Sequence, residues 1–149
     1  MKGAAMAGGV IGACVLTALH ELTRNVAHKA PRLDLLGMQA LAKGLSKTPL
    51  KSVGDDNLHD VTLAGDIISN GMYFSLAAAG SKKNLFLRAG LLGAAAGVAA
   101  VCVPQHTALN SKHTSRTLTT KALTVGLYMA GSLAAAAAIR LLERVSDRK

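Results

Sequence analysis

Residues 61–80 of the chain read VTLAGDIISNGMYFSLAAAG. The stretch is mostly apolar and has the length of a bilayer-spanning helix, which needs about 20 residues. It nevertheless contains a carboxylate, Asp66, and an amide, Asn70, one helical turn apart. The stretch therefore predicts a membrane helix with two polar groups at membrane depth, where such groups normally face the interior of a bundle.

Three further stretches lack charged residues, namely 3–19, 89–102 and 122–139. They alternate with basic and polar segments, which is the hydropathy pattern of a polytopic membrane protein. Helices are expected because backbone amides in lipid must be paired within a helix or a closed barrel. No segment shows the period of two that a barrel strand requires. A soluble alanine-rich bundle is the alternative, but its helices would carry charges along one face.

We therefore predict an all-α protein with four transmembrane helices in a compact bundle, forming a single membrane domain over 1–149. The predicted spans are 3–23, 59–80, 84–103 and 119–142. Residues 32–47 follow Pro31 and place apolar side chains on one face, which predicts an amphipathic helix at the membrane interface. The apolar run continues past Cys14, which favours an uncleaved first helix over a signal peptide.

Small residues recur at intervals of four within the predicted spans. Where lipid replaces water, such rows let helix backbones approach closely and gain dispersion contacts. They therefore predict where the helices pack against each other. The predicted packing positions are Gly8, Gly12, Gly93, Gly97, Gly126 and Ala130.

The four-span topology places every histidine at one membrane face: His20, His28, His59, His106 and His113. Asp66 lies about six residues into its span from that face, or roughly 9 Å deep. A charge at membrane depth costs about 2.5–3.5 kcal/mol, so a partner is expected. Arg24 is the first choice, protonation of Asp66 is the alternative, and Asn70 is expected to bond to a neighbouring helix. The predicted intramembrane polar site comprises His20, Glu21, Arg24, Asp66, Asn70 and His106.

Composition and charge limit the classes of partner. Charged residues make up 17% of the chain, below the roughly 25% typical of soluble proteins. The net charge of +9 is spread over loops that flank the spans, so nucleic acid is not an expected partner. The expected partners are the lipid bilayer and either further copies of this chain or a larger membrane complex. We expect no cofactor and no metal, because nucleotide-binding glycines are missing and His20 and His28 lack the His-Glu-x-x-His spacing.

The leading functional hypothesis is a non-enzymatic accessory or scaffolding subunit that packs through its small-residue seams in a membrane, such as the bacterial cytoplasmic membrane. The first alternative is a minimal oligomeric channel or transporter that uses Asp66 and Asn70. The second is a membrane-embedded hydrolase at the histidine-rich face, although no nucleophile has a base at a diagnostic spacing. No catalytic residue is predicted.

Overall fold

The computed structural model describes residues 2–27, 29–45, 55–107 and 109–148, apart from the side chains of residues 2, 45 and 55–59. These residues are all-helical, with no strand among them. Their α-helices are α1 (Lys2–Val26), α2 (Leu33–Leu45), α3 (Asp55–Ser75), α4 (Leu85–Cys102), α5 (Lys112–Ser115) and α6 (Leu118–Ser146). Short 3-10 helices lie at Leu76–Ala78, Lys82–Asn84 and Val103–His106.

Three segments of the described chain are helical, long and apolar enough to cross a membrane: Gly3–Val26, Lys82–His106 and Leu118–Ser146. They correspond to three of the four predicted spans. The helix α3 covers most of the remaining span, predicted over 59–80, and is more polar because it begins with the sequence DDNLHD. The amphipathic helix predicted over 32–47 corresponds to α2, and residues 46 and 47 lie outside the described residues.

The helix α6 lies at the centre of the bundle. It packs antiparallel against α1 on one side and α4 on the other, while α3 packs antiparallel against another face of α1. The helices α3 and α4 are joined by a short turn but make few contacts with each other. One of these contacts is a hydrogen bond from the Tyr73 hydroxyl to the Leu92 carbonyl at 3.1 Å. A gap therefore opens between α3 and α4.

Glycines allow the close approach of α4 and α6. A Cβ on Gly97 would lie 2.6 Å from Val125 Cα, and a Cβ on Gly93 would lie 2.7 Å from Met129 Cα. Both distances are shorter than real Cβ contacts, so any larger side chain would push the two backbones apart. These two predicted packing positions thus lie in a seam between helices.

The seam between α1 and α6 differs from the predicted one on the α6 side. Gly8 and Gly12 do press against α6. Gly126, however, is exposed, and a Cβ there would meet no described residue of another helix within 4 Å, while Ala130 is only half-buried. The face that α6 turns toward the bundle lies one position further along and includes Leu127, Gly131, Ala135 and Ile139.

Glycines also form the seam between α1 and α3, which was not among the predicted positions. A Cβ on Gly9 would meet the carbonyl oxygen of Gly71, and a Cβ on Gly71 would lie 3.2 Å from Val10 Cα. The backbones of α1 and α3 are therefore in contact at this level. This contact positions Asn70, which directly precedes Gly71, and Asp66, which lies just over one turn before it.

The turn between α3 and α4 lies at the end of the bundle that carries both chain termini, which we name the terminal end. Gly80 has a φ of 99°, a conformation that glycine adopts without steric cost. Arg88 reaches back from α4 and donates to the carbonyls of Ala77 at 2.9 Å and Ser81 at 2.8 Å. The bond to Ala77 pairs a carbonyl that the end of a helix leaves without a partner, whereas the Ser81 carbonyl also accepts from the Asn84 backbone amide.

The opposite end, which we name the loop end, carries segments 27–32 and 103–117. Thr114, Thr120 and Thr124 are at most 1% exposed there. The Thr120 hydroxyl donates to the Lys29 carbonyl at 2.9 Å, and the Thr114 hydroxyl donates to the Ala100 carbonyl at 2.7 Å. The threonines therefore tie both loops to α4 and α6, and they fix where α2 begins.

Candidate functional site

A cavity of about 190 Å³ lies at the loop end between α1, α2 and α3, and we name it the polar cavity. Most of its lining side chains carry a polar group: Thr17, His20, Glu21, Arg24, Asp34, Thr62, Asp66, Asn70 and Tyr128. Five of the six residues predicted for the intramembrane site therefore line one cavity. The sequence pattern did not single out Asp34, Thr62 or Tyr128 as parts of that site.

A second cavity, of about 720 Å³, occupies the gap between α3 and α4, and we name it the alanine groove. Alanines 95, 96, 99 and 100 of α4 form one wall, and Leu36 and Ala40 of α2 lie across it. The two cavities share four lining residues: Leu33, Asp66, Asn70 and Tyr128. Asp66 and Asn70 therefore stand where a polar cavity meets a largely apolar one.

An ionic cluster forms one wall of the polar cavity. The Arg24 guanidinium lies 2.7 Å from a Glu21 carboxylate oxygen and 3.1 Å from Asp34 Oδ2. Arg32 adds two bonds to the same carboxylate, at 2.9 and 3.1 Å. Burial raises the pKa of Asp34, but the hydrogen bonds and charge of Arg32 outweigh it and hold that pKa below its ordinary value. Asp34 is therefore ionised at neutral pH.

This cluster corrects the expected pairing of Asp66. Arg24, the predicted partner of Asp66, instead forms its ion pairs with Glu21 and Asp34. No sequence pattern made Asp34 an obvious competitor, because its closeness to Arg24 depends on how the chain turns back after Pro31.

His20 holds that return of the chain in place. Its ring is 5% exposed, and Nε2 lies 3.0 Å from the Pro31 carbonyl and 3.3 Å from the Leu33 amide nitrogen. A neutral imidazole nitrogen donates or accepts, so the tautomer decides which of these two bonds forms. Nε2 also lies 3.9 Å from an Asp34 oxygen. His20 thus joins α1 to the start of α2 and helps to orient Asp34.

Asp66 is half-buried, and its carboxylate forms no hydrogen bond or ion pair with another described residue. The Asn70 amide, expected to bond to a neighbouring helix, is likewise without such a bond among the described residues. No side-chain nitrogen or oxygen of the described residues is both fully buried and unpaired. The polar atoms of Asp66 and Asn70 are therefore accessible from the cavities that they line.

The helix α2 covers Asp66 through a glycine. A Cβ on Gly37 would lie 2.8 Å from the Thr62 methyl carbon and 3.2 Å from Asp66 Oδ2. Any side chain at residue 37 would therefore touch the carboxylate. The sequence signal for this contact is weak, because Gly37 is one of two glycines in α2 and each carries a cost in helix propensity.

The histidines do not form a common site. His106 is exposed at the end of a 3-10 helix and lines neither cavity, so it lies apart from the other predicted site residues. His28 and the side chain of His59 lie outside the described residues. Within the described residues, no group of three His, Cys, Asp or Glu side chains is arranged to hold a metal ion.

Comparisons with protein-family models, with curated proteins and with solved structures return no match.

Proposed function

We propose that this chain is an integral membrane protein with four spans, α3 being the fourth. The support comes from the outer surface of the bundle. The three apolar helices expose large hydrophobic side chains, and α3 does the same: Ile68 is 60% exposed and Met72 is 57% exposed. In water such a surface would be an aggregation liability, whereas in a bilayer it contacts acyl chains.

The four-span topology predicts that the terminal end and the loop end lie on opposite sides of the membrane. In a chain with Cys14 and Cys102 replaced by serine, Lys83→Cys is expected to react with an impermeant maleimide from one side only. Lys112→Cys is expected to react only from the other side. Labelling of both positions from the same side of intact cells would contradict the topology, and labelling after permeabilisation controls for access.

We further propose that the polar cavity binds cations, as a small channel or transporter does. The observation that supports this function best is Asp66, a half-buried carboxylate that faces two cavities without an ionic partner among the described residues. Keeping such a group at membrane depth costs stability, and it usually marks an ion or substrate path.

The charge balance of the lining favours a cation over an anion. Two guanidiniums, that of Arg24 in the lining and that of Arg32 on Asp34, face three carboxylates, those of Glu21, Asp34 and Asp66. Arg24 is already shared between Glu21 and Asp34. The negative charge of Asp66 is therefore left for an incoming cation.

Asp66→Asn is expected to lower cation flux into proteoliposomes by at least about tenfold. The bound cation would lose its charged partner, and the loss of one partner of a buried charge pair costs about 2–5 kcal/mol. Flux of potassium, sodium and protons is measured with ion-sensitive dyes. Asp60→Asn is the matched control, since Asp60 lies on the same helix but is exposed and lines neither cavity. Equal flux in wild type, Asp66→Asn and protein-free vesicles would remove the transport function.

An accessory subunit is the second candidate function. Gly126 favours it, because this exposed glycine leaves the α6 backbone open to the approach of a helix from another chain. Purification in a mild detergent tests this candidate: co-purification of a larger subunit in fixed ratio supports it, and a homogeneous preparation of this chain alone counts against it.

A further inference from the structure

We propose that the ligand of the Asp66 site is an amphiphilic organic cation, with its charged group at Asp66 and its apolar part in the alanine groove. This inference rests on the proposed function, because it takes Asp66 as a cation site. It adds the class of the cation and the route by which it enters.

The first argument is the joining of the two cavities at one carboxylate. Asp66 is the one carboxylate among the residues that line the alanine groove, and Ser69 and Asn70 are its polar neighbours there. The remaining walls are alanine, leucine, valine, proline and tyrosine side chains. A ligand that fills this site therefore needs one positive charge at one end and apolar surface over the rest.

The second argument is volume. The alanine groove measures about 720 Å³, within the range of about 300–1,000 Å³ that is typical of sites for small organic molecules. A metal cation would leave most of this space to water or lipid and would gain nothing from the alanine walls. An apolar substituent gains free energy by leaving water, at about 25 cal/mol per Å² of surface.

The third argument is access. The groove lies in the gap where α3 and α4 touch each other little. In the four-span arrangement this gap faces the hydrocarbon region, so a ligand that partitions into the bilayer reaches Asp66 from the side. Tyr73 and Tyr128 line the route, and aromatic rings attract quaternary ammonium groups.

The test compares two permanently charged probes, benzyltrimethylammonium and tetramethylammonium, whose binding to the purified full-length protein is measured by equilibrium dialysis. Benzyltrimethylammonium is expected to bind at least about tenfold more tightly, because its ring is buried in the groove. Asp66→Asn is expected to weaken both probes by at least about tenfold, and Asp66→Glu, which keeps the charge, is expected to restore binding.

A second variant tests the groove by itself. Ala96→Leu fills part of the alanine wall without touching the charge, so it is expected to weaken benzyltrimethylammonium about tenfold and to leave tetramethylammonium unchanged. Circular dichroism of each variant confirms that it is folded, and Asp60→Asn serves as the control for a change of surface charge.

The outcomes separate the two proposals. Equal affinity for the two probes, or no effect of Ala96→Leu, would overturn the amphiphilic ligand. If potassium or sodium flux then still depended on Asp66, the proposed function would stand without this inference. If neither probe bound and no flux depended on Asp66, both proposals would fail.

Discussion

Gly37→Leu is expected to reduce cation flux to the level of protein-free vesicles. The first carbon of any side chain at this position would lie 2.8 Å from the Thr62 methyl carbon and 3.2 Å from Asp66 Oδ2. The backbone of α3 is held by its glycine contact with α1, so it cannot recede from α2 without breaking that seam. The leucine must therefore enter the alanine groove, which Gly37 lines, and cover the carboxylate from that side.

The helix α2 is also held in place. The Gln39 side-chain oxygen accepts a hydrogen bond from the Asn110 backbone amide at 2.7 Å. Arg32, just before the helix, donates to Asp34 in its first turn. Gly44→Leu is the matched control, because it makes the same substitution on the same helix at a place where a Cβ would meet no described residue within 4 Å. Wild-type flux in Gly37→Leu would show that α2 does not cover the Asp66 site.

Phe74→Ala is expected to lower the free energy of unfolding by about 3 kcal/mol or more, within the range of about 3–5 kcal/mol for buried aromatic truncations. The Phe74 side chain is fully buried and packs with Leu16, Leu127 and Ala135 where α1, α3 and α6 meet. In lipid the hydrophobic transfer part of this cost is small. The lost contacts and the cavity left behind therefore carry most of it.

The effect of Phe74→Ala is measured as reversible unfolding in mixed detergent micelles. Phe86→Ala is the matched control, because Phe86 is 41% exposed on the outside of α4, with the Arg140 guanidinium 6.0 Å from its ring centre. Its expected cost is below about 1 kcal/mol. Similar losses for the two variants would contradict the position of Phe74 at the centre of the packing.

The helices and their order could be predicted from the sequence because uncharged stretches of membrane length have few other structures open to them. The register of α6 could not. Residues 130–138 are nearly all glycine, serine or alanine, so a period of four can be drawn through them in more than one register. The shape of α1 selects among these, with Leu16 seated over Gly131.

Five of the residues that line the polar cavity could be predicted from the sequence, and the ionic pairs among its lining could not. Polar residues within an apolar stretch indicate a cavity because burial is costly for them, and this indicates Asp66 and Asn70. His20 is included because it lies at the matching end of the first predicted span. Which charges pair is a separate matter, because it depends on distances across the loop end. Several acids lie within reach of the long Arg24 side chain, and the contact between His20 and Pro31 brings Asp34 to 3.1 Å from it, beside Glu21 at 2.7 Å.

The central position of α6 has a consequence for how the protein is made. This helix follows both α1 and α4 in the chain, yet it supplies the surface against which both of them pack. Chains that stop before residue 118 lack the common partner of those two helices. The contact of α1 with α3 can therefore form early, whereas α1 and α4 reach their final packing only after α6 has been synthesised.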